Sequence, residues 1–122
     1  MTVTGLAHVN IATSHLEDAR AFYVDVLGLA EGPRPPFKSR GYWLYAGNQP
    51  VVHLVEAIGV SPAPHGAGID HIAFGTANVE AFAERLRNRG VEFDASIVPG
   101  TGETRLNFSD PTGVRLEVTS ND

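Results

Sequence analysis

No cysteine occurs among the 122 residues, which removes disulfides, thiolate metal ligands and cysteine nucleophiles at once. Any bound ion must then be held by nitrogen and oxygen side chains. Positive charge is also scarce. Nine Lys and Arg stand against fourteen Asp and Glu, a net charge of −5, so the long-range field repels phosphate backbones and anionic lipid surfaces. Neither nucleic acid nor a membrane is expected as a partner. No run approaches the roughly 18 apolar residues that a membrane span needs, and the first eight residues lack the basic-then-apolar pattern of a leader. A cytoplasmic protein is expected. Charged residues make up 19% and apolar residues 43% of the chain. This is the balance of a globular domain rather than a disordered one, at a length that supports a single core-bearing domain.

What the sequence does contain is an internal repeat. Gly5-Leu6-Ala7-His8-Val9 aligns with Gly68-Ile69-Asp70-His71-Ile72, and the same offset pairs Thr13 with Thr76, Leu16 with Val79 and Glu17 with Glu80. Each copy opens with an apolar-rich run, residues 6–12 and 69–75, which reads as a strand of period two. Each then becomes a helix. In the first copy Ser14-His15-Leu16-Glu17 has capping-box spacing, Leu16, Ala19, Tyr23, Val26 and Leu27 share one face, and Gly28 supplies the stop. In the second, Val79, Phe82 and Leu86 repeat the stripe, with Asn78 or Thr76 as cap and Gly90 as stop. Beyond each helix two extended segments form a hairpin, 42–46 with 51–56 and 104–109 with 114–119. Their turns are Gly47-Asn48-Gln49-Pro50 and Asp110-Pro111-Thr112-Gly113. A further strand is predicted at 91–98. Its counterpart after Gly28 is obscured by Pro33-Arg34-Pro35-Pro36, because proline cannot donate to a ladder. The whole is an α+β domain of two repeats, about 5–58 and 68–119, joined by a Pro/Gly-rich linker at 59–67.

Within this frame four polar residues of metal-ligand type occupy apolar strands at repeat-equivalent positions. His8 corresponds to His71, and His53 in Val51-Val52-His53-Leu54-Val55 corresponds to Glu117 in Val114-Arg115-Leu116-Glu117-Val118. Strand alternation sends Val9, Ile11, Val52, Leu54, Leu116 and Val118 toward the helices and the four polar residues, with Asn10, to the opposite face. If a pseudo-twofold axis relates the repeats, equivalent positions face one another and four donors can converge. A lone histidine in a strand is ordinarily a hydrogen-bonded core or edge residue, but chance burial gives no reason for two matched pairs. Three imidazoles and a carboxylate suit a divalent Fe, Mn, Ni, Co or Zn ion and are too nitrogen-rich for Mg or Ca. His15 and His65, at a helix start and in the linker, read as solvated surface.

At these residues the chain resembles the glyoxalase, bleomycin-resistance and extradiol dioxygenase superfamily, also called vicinal oxygen chelate. The resemblance runs from about Gly5 to Val118. It is carried by Leu6-Ala7-His8-Val9, Ala21-Phe22-Tyr23-Val24-Asp25-Val26-Leu27-Gly28-Leu29, Gly68-Ile69-Asp70-His71-Ile72-Ala73-Phe74 and Phe108-Ser109-Asp110-Pro111-Thr112-Gly113-Val114-Arg115-Leu116-Glu117. It implies two βαβββ modules in tandem, a cupped, barrel-like mixed sheet with helices outside, and commonly a homodimer. It also implies that the first, fourth, fifth and eighth strands supply the ligands. The function expected is a metal-dependent lyase or isomerase that chelates a small oxygen-bearing substrate and passes through an enolate-like intermediate. An Fe(II)-dependent ring-cleaving dioxygenase and a non-enzymatic drug-binding protein are the alternatives. Glu117 and His53 are the candidate bases. Asn10, Tyr42, Trp43, Arg105 and Asn107 are candidate substrate contacts, and the 33–37 segment is a candidate roof over the cleft.

Overall fold

A computed structural model describes residues 5–58, 69 and 71–120. Contacts divide the chain into two compact units, Met1–Ser61 and Pro62–Asp122. The linker expected at 59–67 lies outside the described residues. The first unit runs β1 (Val9–Thr13), α1 (Leu16–Asp25), β2 (Ala30–Gly32), β3 (Gly41–Ala46) and β4 (Gln49–Glu56). The second repeats it with β5 (Ile72–Thr76), α2 (Val79–Asn88), β6 (Asp94–Ile97), β7 (Thr104–Ser109) and β8 (Arg115–Ser120). Each unit is therefore βαβββ. Each holds a four-stranded mixed sheet, β1-β4-β3-β2 and β5-β8-β7-β6, in which the first strand pairs parallel with the last and the other pairings are antiparallel. A parallel pair needs a long crossover, and the helix with its two following strands supplies it.

The helices cover one face of each sheet because that face carries the apolar alternates. Leu44, Val52 and Leu54 are buried beneath α1 with Leu16, Ala19, Tyr23 and Val26, while Leu106, Phe108, Leu116 and Val118 are buried in the second unit with Ala83 and Leu86. Full burial of one such side chain stabilises by roughly 1.5–3 kcal/mol. Gly28 and Gly90, with φ of 79° and 68°, close the two helices in the left-handed region where a side chain is strained. No helix among the described residues is long and apolar enough to cross a membrane.

Three local expectations are corrected. The capping box at Ser14 does not form: α1 is capped by His15 without a side-chain hydrogen bond, and it is the Thr13 hydroxyl that accepts from the His15 amide at 3.0 Å. In α2 the expected Asn78 cap is present, accepting from the Ala81 amide at 3.0 Å. The first strand of each unit also starts later than its apolar run. β1 aligns Val9 with Val52, which brings Pro50, with no N–H for the ladder, opposite Ala7. β5 likewise begins only at Ile72, opposite Leu116 of β8. His8 and His71 accordingly stand just before their strands and are exposed. The strand expected at 91–98 is shorter, Asp94–Ile97, and its obscured counterpart is the three-residue β2. Both are edge strands, where pairing on one side only limits length.

Candidate functional site

In the first unit the site is built on the row that crosses β1, β4 and β3 opposite the helix. His53 aligns with Asn10 on one side and Trp43 on the other, and neighbours in a row share a face. Its flanking residues Val52 and Leu54 turn the other way into the core. The His53 ring is sandwiched: His8 stacks on it at 3.8 Å between centroids with an 11° interplanar angle, and Trp43 at 4.0 Å and 12°. Only 8% of His53 remains exposed. Burial, then the nearby charges of His8 and Arg34, push its pKa below the usual histidine value, against a backbone hydrogen bond to Pro50. Proline offers only a carbonyl, so the ring nitrogen that meets it carries the proton. The other nitrogen, Nε2, is buried with no hydrogen-bond partner among the described residues. The result is a neutral imidazole with an unused lone pair on a face otherwise lined by rings.

In the second unit the equivalent row is Ala73, Glu117 and Asn107. Glu117 is buried, with 6% of its surface exposed. Its two oxygens are occupied separately: His71 Nε2 lies 3.2 Å from Oε2, and Arg105 Nε 3.3 Å from Oε1. Arg105 also reaches Glu103 at 3.7 Å, and Glu103 accepts a hydrogen bond from the Thr119 hydroxyl. Arg105 and Asn107 alternate on β7 and so point to the Glu117 face. The buried carboxylate thus has an imidazole and a guanidinium at ion-pair distance, although Arg105 Nε, itself buried, makes no hydrogen bond among the described residues.

Each unit thus brings together the two ligand-type residues its repeat supplies, His8 with His53 and His71 with Glu117. Among the described residues no group of three or more His, Asp or Glu side chains gathers into a metal-sized cluster. The donors fit a divalent ion chemically. His71 Nε2 and Glu117 Oε2, 3.2 Å apart, are close enough that both could hold one divalent ion. The His53 Nε2 lone pair, with the opposite nitrogen held by a carbonyl, is the usual arrangement of a ligating histidine. One adjustment is required. An ion lies near the plane of each ring that binds it, so two nearly parallel rings stacked at 3.8 Å cannot share one ion until the exposed His8 ring turns out of the stack.

The remaining sequence-derived candidates separate by face. Asn10 and Trp43 flank His53, and Arg105 and Asn107 flank Glu117. Tyr42 does not join them. It aligns with the buried Leu54, and its hydroxyl donates to Glu17 of α1 at 2.6 Å, which places it on the helix side. His15 is exposed, as expected, and His65 lies outside the described residues. Arg34, in the proline-rich segment, was missed as an individual residue. Its charge reaches His53, and the signal for it was Gly41, a glycine at the head of an aromatic strand.

A family model described as the Glyoxalase/Bleomycin resistance protein/Dioxygenase superfamily matches residues 5–118. Glyoxylase I 4 of Arabidopsis thaliana is 27% identical over 123 residues, spanning 95% of this chain and 70% of that protein. A glyoxalase family protein from Bacillus anthracis is similar in structure with a TM-score of 0.78 at 28% identity, covering 100% of this chain and 98% of that one. Lactoylglutathione lyase from Agrobacterium tumefaciens shares the fold with a TM-score of 0.73 at 21% identity, over 98% of this chain and 96% of that one.

Proposed function

Because this chain belongs to the glyoxalase/bleomycin resistance protein/dioxygenase superfamily, we propose that it is a metal-dependent lyase or isomerase acting on a small substrate with two adjacent oxygen atoms. His8, His53, His71 and Glu117 are the proposed ligands, within one chain or across a homodimer. The observation that carries this reading is the buried, unpartnered Nε2 of His53: a desolvated lone pair costs free energy unless something uses it. When bound, a divalent ion would supply Lewis-acid stabilisation of negative charge developing on a substrate oxygen.

The protein's own residues do the rest. Glu117, buried with Arg105 and His71 at ion-pair distance, is the proposed base, moving a proton between neighbouring substrate carbons. Arg105 aims it. His53, kept neutral by burial, provides a nitrogen donor at neutral pH. Trp43, Asn10 and Asn107 border these groups as proposed substrate contacts, the ring for packing and the two amides for hydrogen bonding to oxygen. Tyr42, engaged with Glu17 on the other face, is left out.

The test uses elemental analysis together with the chain's one tryptophan. Wild-type protein is expected to hold about one divalent ion per full set of ligands, and added Co²⁺ should quench Trp43 fluorescence through the adjacent His53. His53→Ala and Glu117→Gln should lose the ion while keeping their far-UV circular dichroism. A hemithioacetal screen with oxygen excluded then reports the reaction. Variants that retain wild-type metal content would end this reading, and turnover that demands O₂ would replace the lyase with a dioxygenase.

A further inference from the structure

The loop from β2 to β3 holds a cation that no carboxylate among the described residues neutralises. Arg34 donates from Nη1 to the Ser39 carbonyl at 3.0 Å and from Nη2 to the Ser39 hydroxyl at 3.2 Å. Its Cζ sits 5.1 Å from the centre of the Phe37 ring. The guanidinium also presses on Gly41, where a Cβ would meet Nη2 at 2.8 Å and Cζ at 3.1 Å. The loop itself is tied to the sheet, since the Tyr45 hydroxyl donates to the Pro33 carbonyl at 2.6 Å. These contacts fix where the charge points. Gly41 and Trp43 alternate on β3 and share a face, so Arg34 lies on the side of the sheet that carries Trp43 and His53.

Its electrostatic setting differs from that of four other arginines. Arg20, Arg40, Arg87 and Arg105 are each paired with a glutamate. Arg34 has no acidic partner among the described residues, in a chain whose net charge is −5. It is half-buried, and its Nε is buried without a hydrogen bond. A guanidinium carries five N–H donors in one plane; Ser39 takes two and Nε is buried, which leaves one N–H on each Nη. A fork held rigid by a ring, a backbone and a serine is pre-organised for a planar anion, because little side-chain entropy is left to lose on binding.

We propose that Arg34 anchors a carboxylate of the substrate, making the substrate class a small acid that carries this carboxylate in addition to its two adjacent oxygens. The assignment rests on the reading that the His53 face is the active face. Matching one planar anion to one planar cation gives direction as well as affinity. It also decides which end of the substrate lies next to Trp43 and which next to the ligands.

The probe is tartronate, compared with glycolate. Both offer a hydroxyl and a carboxylate to a metal, and only tartronate has a second carboxylate. Binding is followed by Trp43 fluorescence and by calorimetry, with metal-depleted and zinc-loaded protein, for wild type, Arg34→Gln and Arg34→Lys. Tartronate is expected to bind wild type more tightly than glycolate. Arg34→Gln should weaken tartronate roughly 10- to 100-fold, change glycolate far less, and leave zinc binding as tight or tighter, since it removes a cation whose charge reaches His53. Arg34→Lys keeps the charge without the fork, so it should fall between the two and serves as the folding control. Equal tartronate affinity in wild type and Arg34→Gln, or no tartronate binding by wild type, overturns the proposal. Zinc binding with no effect of Arg34→Gln removes only the anion anchor. Arg34-dependent tartronate binding by a protein that takes up no metal upholds the anchor and removes the metal reading.

Discussion

Replacing Gly41 with alanine should cost stability and anion affinity together. The added Cβ would lie 2.3 Å from the Leu54 carbonyl oxygen and 2.8 Å from Arg34 Nη2. The guanidinium can swing aside. The carbonyl cannot, because Leu54 is held in the β3–β4 ladder opposite Tyr42 and its side chain is 1% exposed in the core. Overpacking typically costs 1–3 kcal/mol, and a backbone obstacle puts this change near the top, at about 3 kcal/mol. Unfolding entropy of roughly 2.1 cal/mol/K per residue, taken over 122 residues, is about 0.26 kcal/mol/K, so Tm should fall by about 12 °C. Gly5 is the matched control, since a Cβ there meets nothing within 4 Å and Gly5→Ala should stay within about 0.5 kcal/mol of wild type. Scanning calorimetry of the three proteins at pH 7 reads the difference, and tartronate titration of Gly41→Ala reads the displaced Arg34. A Gly41→Ala protein that melts with the Gly5→Ala control would refute the close approach of β3, β4 and Arg34.

Two further outcomes follow from the helices and their partners. The Tyr42 hydroxyl, working against desolvation and helped by Arg20 and then Arg40, holds the Glu17 carboxyl below its ordinary 4.5. The folded pKa is thus the lower one, and this stabilisation is complete above the unfolded value and lost as pH falls through the folded value. Urea midpoints of wild type and Tyr42→Phe should therefore differ at pH 7 and draw together toward pH 3, and a gap that stays constant contradicts the assignment. At the helix starts, Asn78→Ala should cost about 1 kcal/mol by removing the cap to the Ala81 amide. Ser14→Ala should be nearly neutral because α1 has no side-chain cap. Equal losses in a denaturant series would mean that Ser14 caps α1 after all.

Much of this architecture could be read from local chemistry. The repeat, the two helical stripes and the glycines that stop them are legible because helix periodicity and left-handed backbone leave marks in the adjacent sequence. The Asn78 cap has the same kind of mark. So did Ser14-His15-Leu16-Glu17, yet there the chain leaves β1 one residue late and Thr13 takes up the His15 amide, so a valid signature went unused. The site divides along similar lines. His53 and Glu117 are visible as polar residues in apolar strands, but Tyr42 and Trp43 look equally suitable as substrate contacts. Only the pairing of Trp43 with His53 and Tyr42 with Leu54 assigns them to opposite faces.

The sequence by itself determined two copies of a strand, a helix and a hairpin, with a further strand legible only in the second copy, and it matched His8 to His71 and His53 to Glu117, because each of these depends on local spacing. Tertiary structure alone decided that two rings stack on His53, that Arg105 lies at ion-pair distance from Glu117, and that Arg34 keeps its charge against Gly41 with no acidic partner among the described residues. Those facts depend on register between strands distant in the chain and on the space left where they meet, and neither quantity is written in the neighbourhood of any one residue.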